Sequence, residues 1–418
     1  MESKQFAKGF PGELVPVTLK ERVTRGNQVE LVDVKSVAFV PHPLPPSLDW
    51  DRLKVSLFDK HSEALLAIGR LNGLHKRLHD GGPLLRTLWM REAKLSTAVE
   101  DIHTTAEEMV LAGALRGTPV RSGGHEAWSY VQALEHGLKS VLPLSRRLMC
   151  EMHRILLSGG IGEVRGARQR PGDLRDIPVY IGDDRLGPRM ARFVPPPPGD
   201  VLEKCMRELE MFANKESRRI PSLVSIALFH YQFESIHPFR DGNGRIGRVL
   251  MSRSLVTEGL LDHPVVYFSG YIYRRKQEYI DRMFAVSARG EWIEWIDFVL
   301  DAILTQALDA IARSERLIEL REHFYTTLKR LDASARVFKL VDRLFAMPAV
   351  NAEEAREIMG VEKPTAYKDI ALLEKAGVLT EITGRVRDRD WVARDVVKII
   401  ETDPFDESPE ITAPPTSS

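Results

Sequence analysis

The sequence predicts a mainly α-helical protein with a small β component, and three observations support this fold class. Apolar residues recur at helical spacing through long stretches between residue 48 and about residue 160. The segment from Leu223 to Leu228 is apolar almost all the way round a helix, as expected for a helix buried in a core. Short β-prone stretches occur around residues 179–194 and 379–393.

Composition divides the chain of 418 residues into five predicted regions, which is enough length for about two to three domains. The start, to about residue 46, contains several prolines and is weakly patterned. A charged amphipathic stretch without Pro or Gly predicts a connecting helix in the C-terminal half. The last residues lack apolar periodicity and are expected to be disordered. The predicted regions are an N-terminal helical region (1–114), a central core (115–310), the connecting helix (311–333), a small C-terminal domain (334–400) and the tail (401–418).

Two short β-prone runs near the middle of the chain, residues 179–181 and 192–194, predict a hairpin. An exposed strand edge can pair with an extended segment of another protein through main-chain hydrogen bonds. One interpretation is therefore that this hairpin registers a protein substrate. The other is that the hairpin only closes a pocket, and the sequence leaves both open.

One segment of the central core combines residues that suit nucleotide phosphates. It contains, in order, His237, Pro238, Phe239, Arg240, Asp241, Gly242, Asn243, Gly244, Arg245, Ile246, Gly247 and Arg248. Gly242 and Gly244 can adopt positive φ, so that backbone N–H groups and the amide of Asn243 can curl around an anion. Apolar residues at helical spacing follow the loop directly, so the loop is expected to end at the N-terminus of a helix. A helix N-terminus also favours negative charge. Arg245 and Arg248 share one face of that helix and can bind the outer phosphates.

The other residues of this segment predict its chemistry. Asp241 supplies one carboxylate, which is sufficient beside phosphate oxygens for a hard cation such as Mg²⁺. His237 lies just ahead of the loop, and a neutral imidazole can accept a proton from a hydroxyl that attacks phosphorus. Pro238 stiffens the turn, and Phe239 is expected to anchor the loop in the core.

The segment, HPFRDGNGRIGR in one-letter form, resembles the signature HPFxxGNGRxxR of Fic-domain proteins and matches it at every specified position. The predicted hairpin is similar to the flap over the active site of that family, and residues 43–46 and 92–100 are similar to its N-terminal helical region. Together these stretches span most of residues 40–310. The resemblance therefore implies a Fic helical core with a β-hairpin flap.

The resemblance also implies a protein adenylyltransferase, an enzyme that transfers AMP from ATP to a Ser, Thr or Tyr hydroxyl of a target protein. His237 would be the catalytic base, and pyrophosphate would leave. Asp241 would hold Mg²⁺, and a homodimer is a further expectation. The resemblance assigns six residues to nucleotide binding: Gly242, Asn243, Gly244 and Arg245 at the α- and β-phosphates, Arg248 at the γ-phosphate, and Asp241 through the Mg²⁺ that it would hold.

Ser96 and Glu100 lie four residues apart on one predicted helix, of about residues 86–110. A Ser or Thr followed by Glu at this spacing resembles the inhibitory motif of the family. Glu100 would then pair with Arg248 and withhold that arginine from the γ-phosphate of ATP. The family pattern places Gly or Asn after this glutamate, whereas this chain has Asp101. The alternative is that Glu100 is an ordinary solvent-exposed carboxylate on a helix.

The C-terminal domain resembles a winged helix-turn-helix. Thr365, Tyr367 and Lys368 would begin a recognition helix that can enter a DNA groove. Residues 361–390 nevertheless carry six basic and six acidic residues, and DNA affinity is largely electrostatic, so a DNA partner and a protein partner both stay open. The predicted elements are helices at 335–345, 352–359 and 364–376 and wing strands at 379–383 and 391–393, around a loop with Arg385, Arg387 and Arg389.

Composition indicates a protein of the cytoplasm. Its 59 basic and 59 acidic residues give a formal net charge of zero, which argues against general affinity for polyanions. Cys150 and Cys205 are its cysteines and lack the spacing of metal ligands, as expected in a reducing compartment. No stretch approaches the roughly 20 apolar residues of a membrane span, and the start lacks the apolar core of a signal peptide.

Two alternatives to AMP transfer remain open at the level of sequence. The chain could be a DNA-binding regulator whose Fic-like core senses a nucleotide without turnover. It could also be a Fic enzyme that uses another nucleotide, or one that removes AMP with a glutamate placed like Glu100. The intact His237 and Asp241 favour an enzyme.

Overall fold

Helices dominate the chain, as the sequence predicts. The computed structural model describes residues 1, 3–25, 28–76, 82–114, 122–158, 170–182, 185–214, 220–385 and 389–402. The predicted disordered tail beyond Thr402, the wing residue Arg387 and the flap-loop residues Asp183 and Asp184 lie outside this set. None of the helices in the described ranges combines the length and the apolar character that crossing a lipid bilayer requires.

The first half of the chain begins with two strands, which five helices follow. The bounds are β1 Gly12–Arg25, β2 Gln28–Pro41, α1 Trp50–Lys76, α2 Gly82–Val99, α3 Ala106–Ala114, α4 Ser122–Lys139 and α5 Arg146–Ser158. The helices of the second half that precede the C-terminal elements are α6 Asp200–Ala213, α7 Ser222–Ile236, α8 Asn243–Thr257, α9 Ser269–Arg274, α10 Lys276–Arg289 and α11 Trp292–Arg330.

The C-terminal elements are three helices, a small sheet and a last helix. Their bounds are α12 Ala335–Ala346, β3 Ala349–Asn351, α13 Ala352–Met359, α14 Lys363–Lys375, β4 Thr380–Glu381, β5 Asp390–Val392 and α15 Arg394–Glu401. The three strands form an antiparallel sheet in the order β3-β5-β4. The three predicted helices are confirmed to within one residue at each end. The two predicted wing strands correspond to β4 and β5, and β3 and α15 are additional elements, so the winged helix itself stays a prediction.

The chain packs into two compact units. Unit 1 contains Met1–Leu65, Gln132–Gly259 and Tyr271–Leu304, and unit 2 contains Leu66–Val131, Leu260–Gly270 and Thr305–Ser418. The long helix α11 contributes its first part to unit 1 and its second part to unit 2. The predicted connecting helix of residues 311–333 is therefore largely the second part of α11.

A long β-hairpin in unit 1 is the main difference from the sequence analysis, which left the first 46 residues without regular structure. β1 and β2 pair over their whole length, from Gly12 opposite Pro41 to Arg25 opposite Gln28. Apolar residues of the hairpin pack with residues of the predicted flap. The buried cluster consists of Leu19, Val34, Ala38, Ala191 and Val194. The hairpin therefore supports the flap segment, to which it is also tied by a hydrogen bond of 2.8 Å from Phe39 N–H to the carbonyl of Val194.

The predicted flap is present in a reduced form. Ile181 and Phe193 make one antiparallel bridge, in which Ile181 N–H donates at 2.8 Å and Phe193 N–H donates back at 3.1 Å. A short 3₁₀ turn, Pro188–Met190, lies between them. Arg189 on this turn donates from Nε to Glu21 of β1 at 2.8 Å. The flap is thus held by the hairpin rather than by a ladder of its own.

Unit 2 contains an interruption where the sequence analysis expected one helix over about residues 86–110. α2 ends at Val99, and Asp101 adopts a left-handed backbone with φ 59°. α3 then begins at a new capping box, in which Thr105 Oγ accepts from Glu108 N–H at 3.0 Å and Glu108 accepts from Thr105 N–H at 3.2 Å. Glu100 therefore lies in an exposed turn that follows α2, not within a helix.

Candidate active site

His237 lies at the C-terminal end of the helix α7. All residues from Leu223 to Ile236 are buried, which confirms the prediction of a core helix. His237 caps the end of the helix with φ 49° and ψ 62°, a left-handed backbone conformation that residues other than glycine rarely adopt. Its ring Nδ1 lies 3.3 Å from the carbonyl oxygen of Glu234. Because a carbonyl can only accept, Nδ1 carries the proton and Nε2 carries the lone pair of the neutral ring.

A buried arginine that the sequence analysis did not identify supports this helix end. Arg175 Nε donates to the carbonyl of His237 at 2.8 Å, and Nη2 donates to that of Ile236 at 3.2 Å. The backbone N–H of Arg175 donates to Pro238 at 2.9 Å. Burial lowers the pKa of this guanidinium to about 10, which still leaves it charged at neutral pH. Its contacts connect segments far apart in the chain, so no local sequence pattern indicates them.

The loop after His237 has the predicted helix behind it but differs from the prediction in two details. Gly242 has φ +76° and caps α8, whereas Gly244 lies inside the first turn of α8 and is helical. The amide of Asn243 is not directed to an anion. Its Oδ1 accepts from Phe239 N–H at 2.8 Å and its Nδ2 donates to the Phe239 carbonyl at 2.9 Å. The Asn243 side chain therefore closes the loop, and phosphate contacts from this residue would come from its backbone N–H.

The N-terminus of α8 binds a negatively charged oxygen of the chain itself. Asp241 Oδ1 accepts from Gly242 N–H at 2.6 Å and lies 3.5 Å from Arg245 Nη2. The first-turn N–H groups of a helix have no partner within the helix, so they add to this attraction. Two of the donors predicted for phosphate, the N–H of Gly242 and the guanidinium of Arg245, are thus oriented toward an anion. The Asp241 side chain is 49% exposed, which leaves it accessible to a cation.

Both predicted phosphate-binding arginines are buried in unit 1, Arg245 with 2% and Arg248 with 1% of its surface exposed. Burial of a guanidinium is costly unless an anion or several acceptors compensate it. Arg248 lies near His230, whose pKa falls to about 3 because of burial and then because of Arg248. His230 is therefore neutral, with Nε2 at 2.8 Å from the hydroxyl of Tyr279.

His153 of α5 is a second supporting residue that the sequence analysis missed. Its ring stacks on Phe239 with 3.9 Å between centroids, and Phe239 is fully buried, as predicted. Gly172 N–H donates to Nδ1 at 2.9 Å, so that Nε2 carries the proton and donates to the Asp241 carbonyl at 2.9 Å. Burial lowers the pKa of His153 to about 4. A neutral ring with both nitrogens bonded thus fixes the loop.

The buried neutral histidines predict that the protein loses stability in mild acid. Each of His75, His153 and His230 takes up a proton near pH 6.5 when unfolded, but when folded only near pH 4 or below. The free energy of unfolding should therefore fall from about pH 6.5 toward pH 4, by about 1.4 kcal/mol per pH unit and histidine. Urea denaturation at a series of pH values measures this slope. His153→Gln should reduce the slope by the contribution of one histidine. An unchanged slope would contradict the conclusion that His153 is buried and neutral.

A cleft between the flap and α10 opens beside the His237 end of α7. Its apolar walls come from the flap bridge and from α10, and Glu234 and Ser235 of α7 form its polar end. The lining residues are Ile181, Arg192, Phe193, Glu234, Ser235, Ile280, Met283, Phe284 and Ser287. Tyr279, the fourth residue of α10, packs against Trp295 and Phe298 in the core of unit 1.

Unit 2 holds the two residues of the predicted inhibitory motif. Ser96 is fully buried in the last turn of α2. Glu100 N–H donates to the Thr97 carbonyl at 3.0 Å, and Ile102 N–H donates to the same carbonyl at 3.1 Å. The left-handed φ of Asp101 explains why Gly or Asn suits this position, and Asp also tolerates it. The pairing of Glu100 with Arg248, which belongs to unit 1, stays a prediction.

Comparison with known proteins gives two family matches. The Fic/DOC family matches residues 143–255, which include the His237 loop, and the Fic/DOC family N-terminal region matches residues 58–139, which include Ser96 and Glu100. Two relatives named protein adenylyltransferase Fic, from Drosophila grimshawi and Drosophila virilis, are each 36% identical over 132 residues, 31% of this chain and 22% of the relative. The matched stretch thus spans less than a quarter of these relatives.

A solved structure supports the fold. The crystal structure of a Fic family protein from Desulfovibrio desulfuricans G20 superposes with a TM-score of 0.51 at 18% identity, over 84% of this chain and 98% of that one. These comparisons confirm the resemblance drawn from the loop sequence.

Proposed function

We propose, from the premise that this chain belongs to the Fic/DOC family, that it transfers AMP from ATP to a hydroxyl side chain of a target protein. One observation carries the proposal. A histidine whose Nδ1 lies 3.3 Å from a carbonyl oxygen precedes a helix N-terminus at which the N–H of Gly242 donates to the carboxylate of Asp241. A base and an anion site in direct succession suit phosphoryl-type transfer, where positioning and charge stabilisation supply most of the rate.

The proposed step uses His237 as a general base. The target hydroxyl oxygen attacks the α-phosphorus of ATP and forms the new O–P bond, while the bond from that phosphorus to the pyrophosphate oxygen breaks. The hydroxyl proton passes to Nε2 of His237, the nitrogen that carries the lone pair in the tautomer set by Glu234. Pyrophosphate leaves with the electron pair.

The nucleotide is assigned to the loop and to the start of α8. Gly242 and Gly244 would offer backbone N–H groups to the inner phosphates, with Arg245, and Asn243 would do so through its backbone alone. Arg248 would bind the γ-phosphate. The flap is where a target segment would lie.

Asp241 fits the proposed Mg²⁺. Its half-exposed carboxylate is adjacent to the anion donors, and one carboxylate is enough for Mg²⁺ when phosphate oxygens and waters complete the shell. Within the described ranges no group of three or more His, Cys, Asp and Glu residues is arranged to hold a metal ion by itself. Mg²⁺ would neutralise phosphate charge there.

Regulation by Glu100 is part of the proposal. A carboxylate that pairs with Arg248 would occupy the guanidinium needed by the γ-phosphate, and ATP would bind unproductively until the pair separates. Support comes from sequence spacing and from the backbone of Asp101, which suits the family pattern.

The C-terminal elements are assigned to a winged helix that binds a partner of the enzyme. A DNA partner would bind more tightly as salt falls, and deletion of residues 334–418 would abolish that binding. No DNA binding at low salt would leave a protein as the partner.

Labelled ATP tests the central proposal. The wild type and its variants are incubated with lysate and ATP labelled at either the α- or the γ-phosphorus. AMP transfer predicts protein label from the α-position alone. Label from the γ-position would indicate phosphorylation, and label from neither position in any variant would reject the proposal.

A further inference from the structure

Arg175 contacts three successive carbonyls around His237. The acceptors are Ile236, His237 and Pro238, reached through Nη2, Nε and the backbone N–H. A fourth acceptor, the carbonyl of Pro196 beyond the flap, also lies at Nη2. One buried guanidinium thus ties the base-bearing turn to the segment that follows the flap.

The contacts of Arg175 surround a residue with a strained backbone, His237. His237 has φ 49°, and a left-handed backbone at a residue other than glycine persists only where its surroundings over-determine it. Without these donors, the carbonyls of Ile236 and His237 at the helix end would be left to water, and other conformations of the turn would compete.

We propose that Arg175 is the positioning residue of the base, which holds His237 in its left-handed conformation. The expected effect on catalysis rests on the proposed AMP transfer, whereas the expected effect on the conformation of His237 does not. The residue next to it contributes to the same support, because Asp176 binds Arg240 Nε at 3.1 Å, and this contact lowers the pKa of Asp176.

Arg175→Met tests this role, with Arg253→Met as the matched control. Arg253 is also buried, and it also binds backbone carbonyls, Gly137 at 2.8 Å and Leu142 at 3.0 Å, but none near His237. The expected result is a fall in kcat of about 100-fold for Arg175→Met, with KM for ATP changed by about twofold or less. Arg253→Met should lower the melting temperature to a similar extent while kcat changes little.

A second readout separates this proposal from the proposed function. Nitrogen NMR of the His237 ring reports its tautomer and pKa without any turnover. In wild type the unprotonated nitrogen should be Nε2, and in Arg175→Met the two tautomers should mix and the pKa should shift. Arg175→Lys, which keeps a charge and packs more conservatively, should lie between the two. A His237 ring with unchanged tautomer and pKa in folded Arg175→Met or Arg175→Lys would overturn the proposal.

A separate set of contacts within unit 2 joins the C-terminal elements to α2 and to the start of α3, the two helices between which the Glu100 turn lies. Arg91 of α2 donates from Nη1 to the carbonyl of Ile400 at 3.1 Å. Glu401, at the end of α15, accepts from Lys94 Nζ of α2 at 3.2 Å and from Ala106 N–H, the start of α3, at 3.0 Å. A single carboxylate therefore binds one residue before the Glu100 turn, Lys94, and one residue after it, Ala106.

We infer that the C-terminal elements set the position of the Glu100 turn, so that a partner bound to them changes the inhibition proposed above. Glu401→Ala in the full chain should raise hydrogen exchange of residues 94–106. It should also raise AMP incorporation, by about fivefold or more, in the wild type but not in the Glu100→Gly background. Glu374→Ala, an exposed glutamate of α14, is the matched control and should change neither.

The exchange measurement decides the physical link even if the chain transfers no AMP. Unchanged exchange of residues 94–106 in Glu401→Ala would overturn the inference. Equal activation by Glu401→Ala in the wild type and in the Glu100→Gly background would overturn it as well, because the effect would then bypass Glu100.

Discussion

Replacing His237 by Ala is expected to lower AMP incorporation from labelled ATP by about two to four orders of magnitude, the usual contribution of a general base. The reason is the loss of Nε2, which receives the proton of the attacking hydroxyl. Binding of ATP should change little, because the donors at the start of α8 are untouched. Initial rates of label transfer and the ATP dissociation constant, measured on the same variant, give the two quantities.

His136→Ala is a suitable control, since this histidine lies in unit 1 but pairs with Glu151 at 3.1 Å, on helices other than α7 and α8. Its rate should stay close to that of wild type. Equal labelling by wild type and His237→Ala would reject the assignment of the base.

Glu100→Gly is expected to raise AMP incorporation, including self-modification, by about ten- to a hundredfold, the range of a typical coupling free energy. The carboxylate that competes for Arg248 is removed, and glycine is accommodated in the turn after α2. Glu100→Gln should have a similar effect, because it removes only the charge. Label incorporation at saturating ATP measures the gain.

Glu107→Gln, in the first turn of α3, removes a charge seven residues away and should leave the rate unchanged. If Glu100→Gln labels protein no faster than wild type, the inhibitory pairing is rejected while the assignment of His237 stands.

Local patterns predicted the helices and the loop well. α8 follows from helical spacing of apolar residues after the loop, and α13 lies between Asn351 and Gly360, residue types that cap the starts and ends of helices. The fully buried α7 and the anchoring Phe239 follow from apolar character alone.

The parts that were missed depend on contacts distant in sequence. The strands β1 and β2 pair with each other and pack on Val194. Val15, Val17 and Leu19 do alternate along β1, but Pro16 between them argues against a strand. The supporting side chains of Arg175 and His153 acquire their roles only through the backbone of residues 236–241. The sequence favours phosphate as the partner of the Asn243 amide, because its actual partner, the backbone of Phe239, comes within hydrogen-bond distance when the loop folds.

The interruption after α2 is an intermediate case. Thr105 and Glu108 form a capping box that the sequence contains, so the start of α3 was predictable. The left-handed turn at Asp101 was not, because aspartate adopts this conformation only occasionally.

The most direct test is mass spectrometry of a cell lysate incubated with the Glu100→Gly variant, ATP and Mg²⁺, with His237→Ala in the same background as the comparison. The account predicts peptides that gain one adenylate on a Ser, Thr or Tyr side chain with Glu100→Gly and lose it when His237 is also replaced. Adenylate that appears equally with both proteins, or with neither, would contradict it.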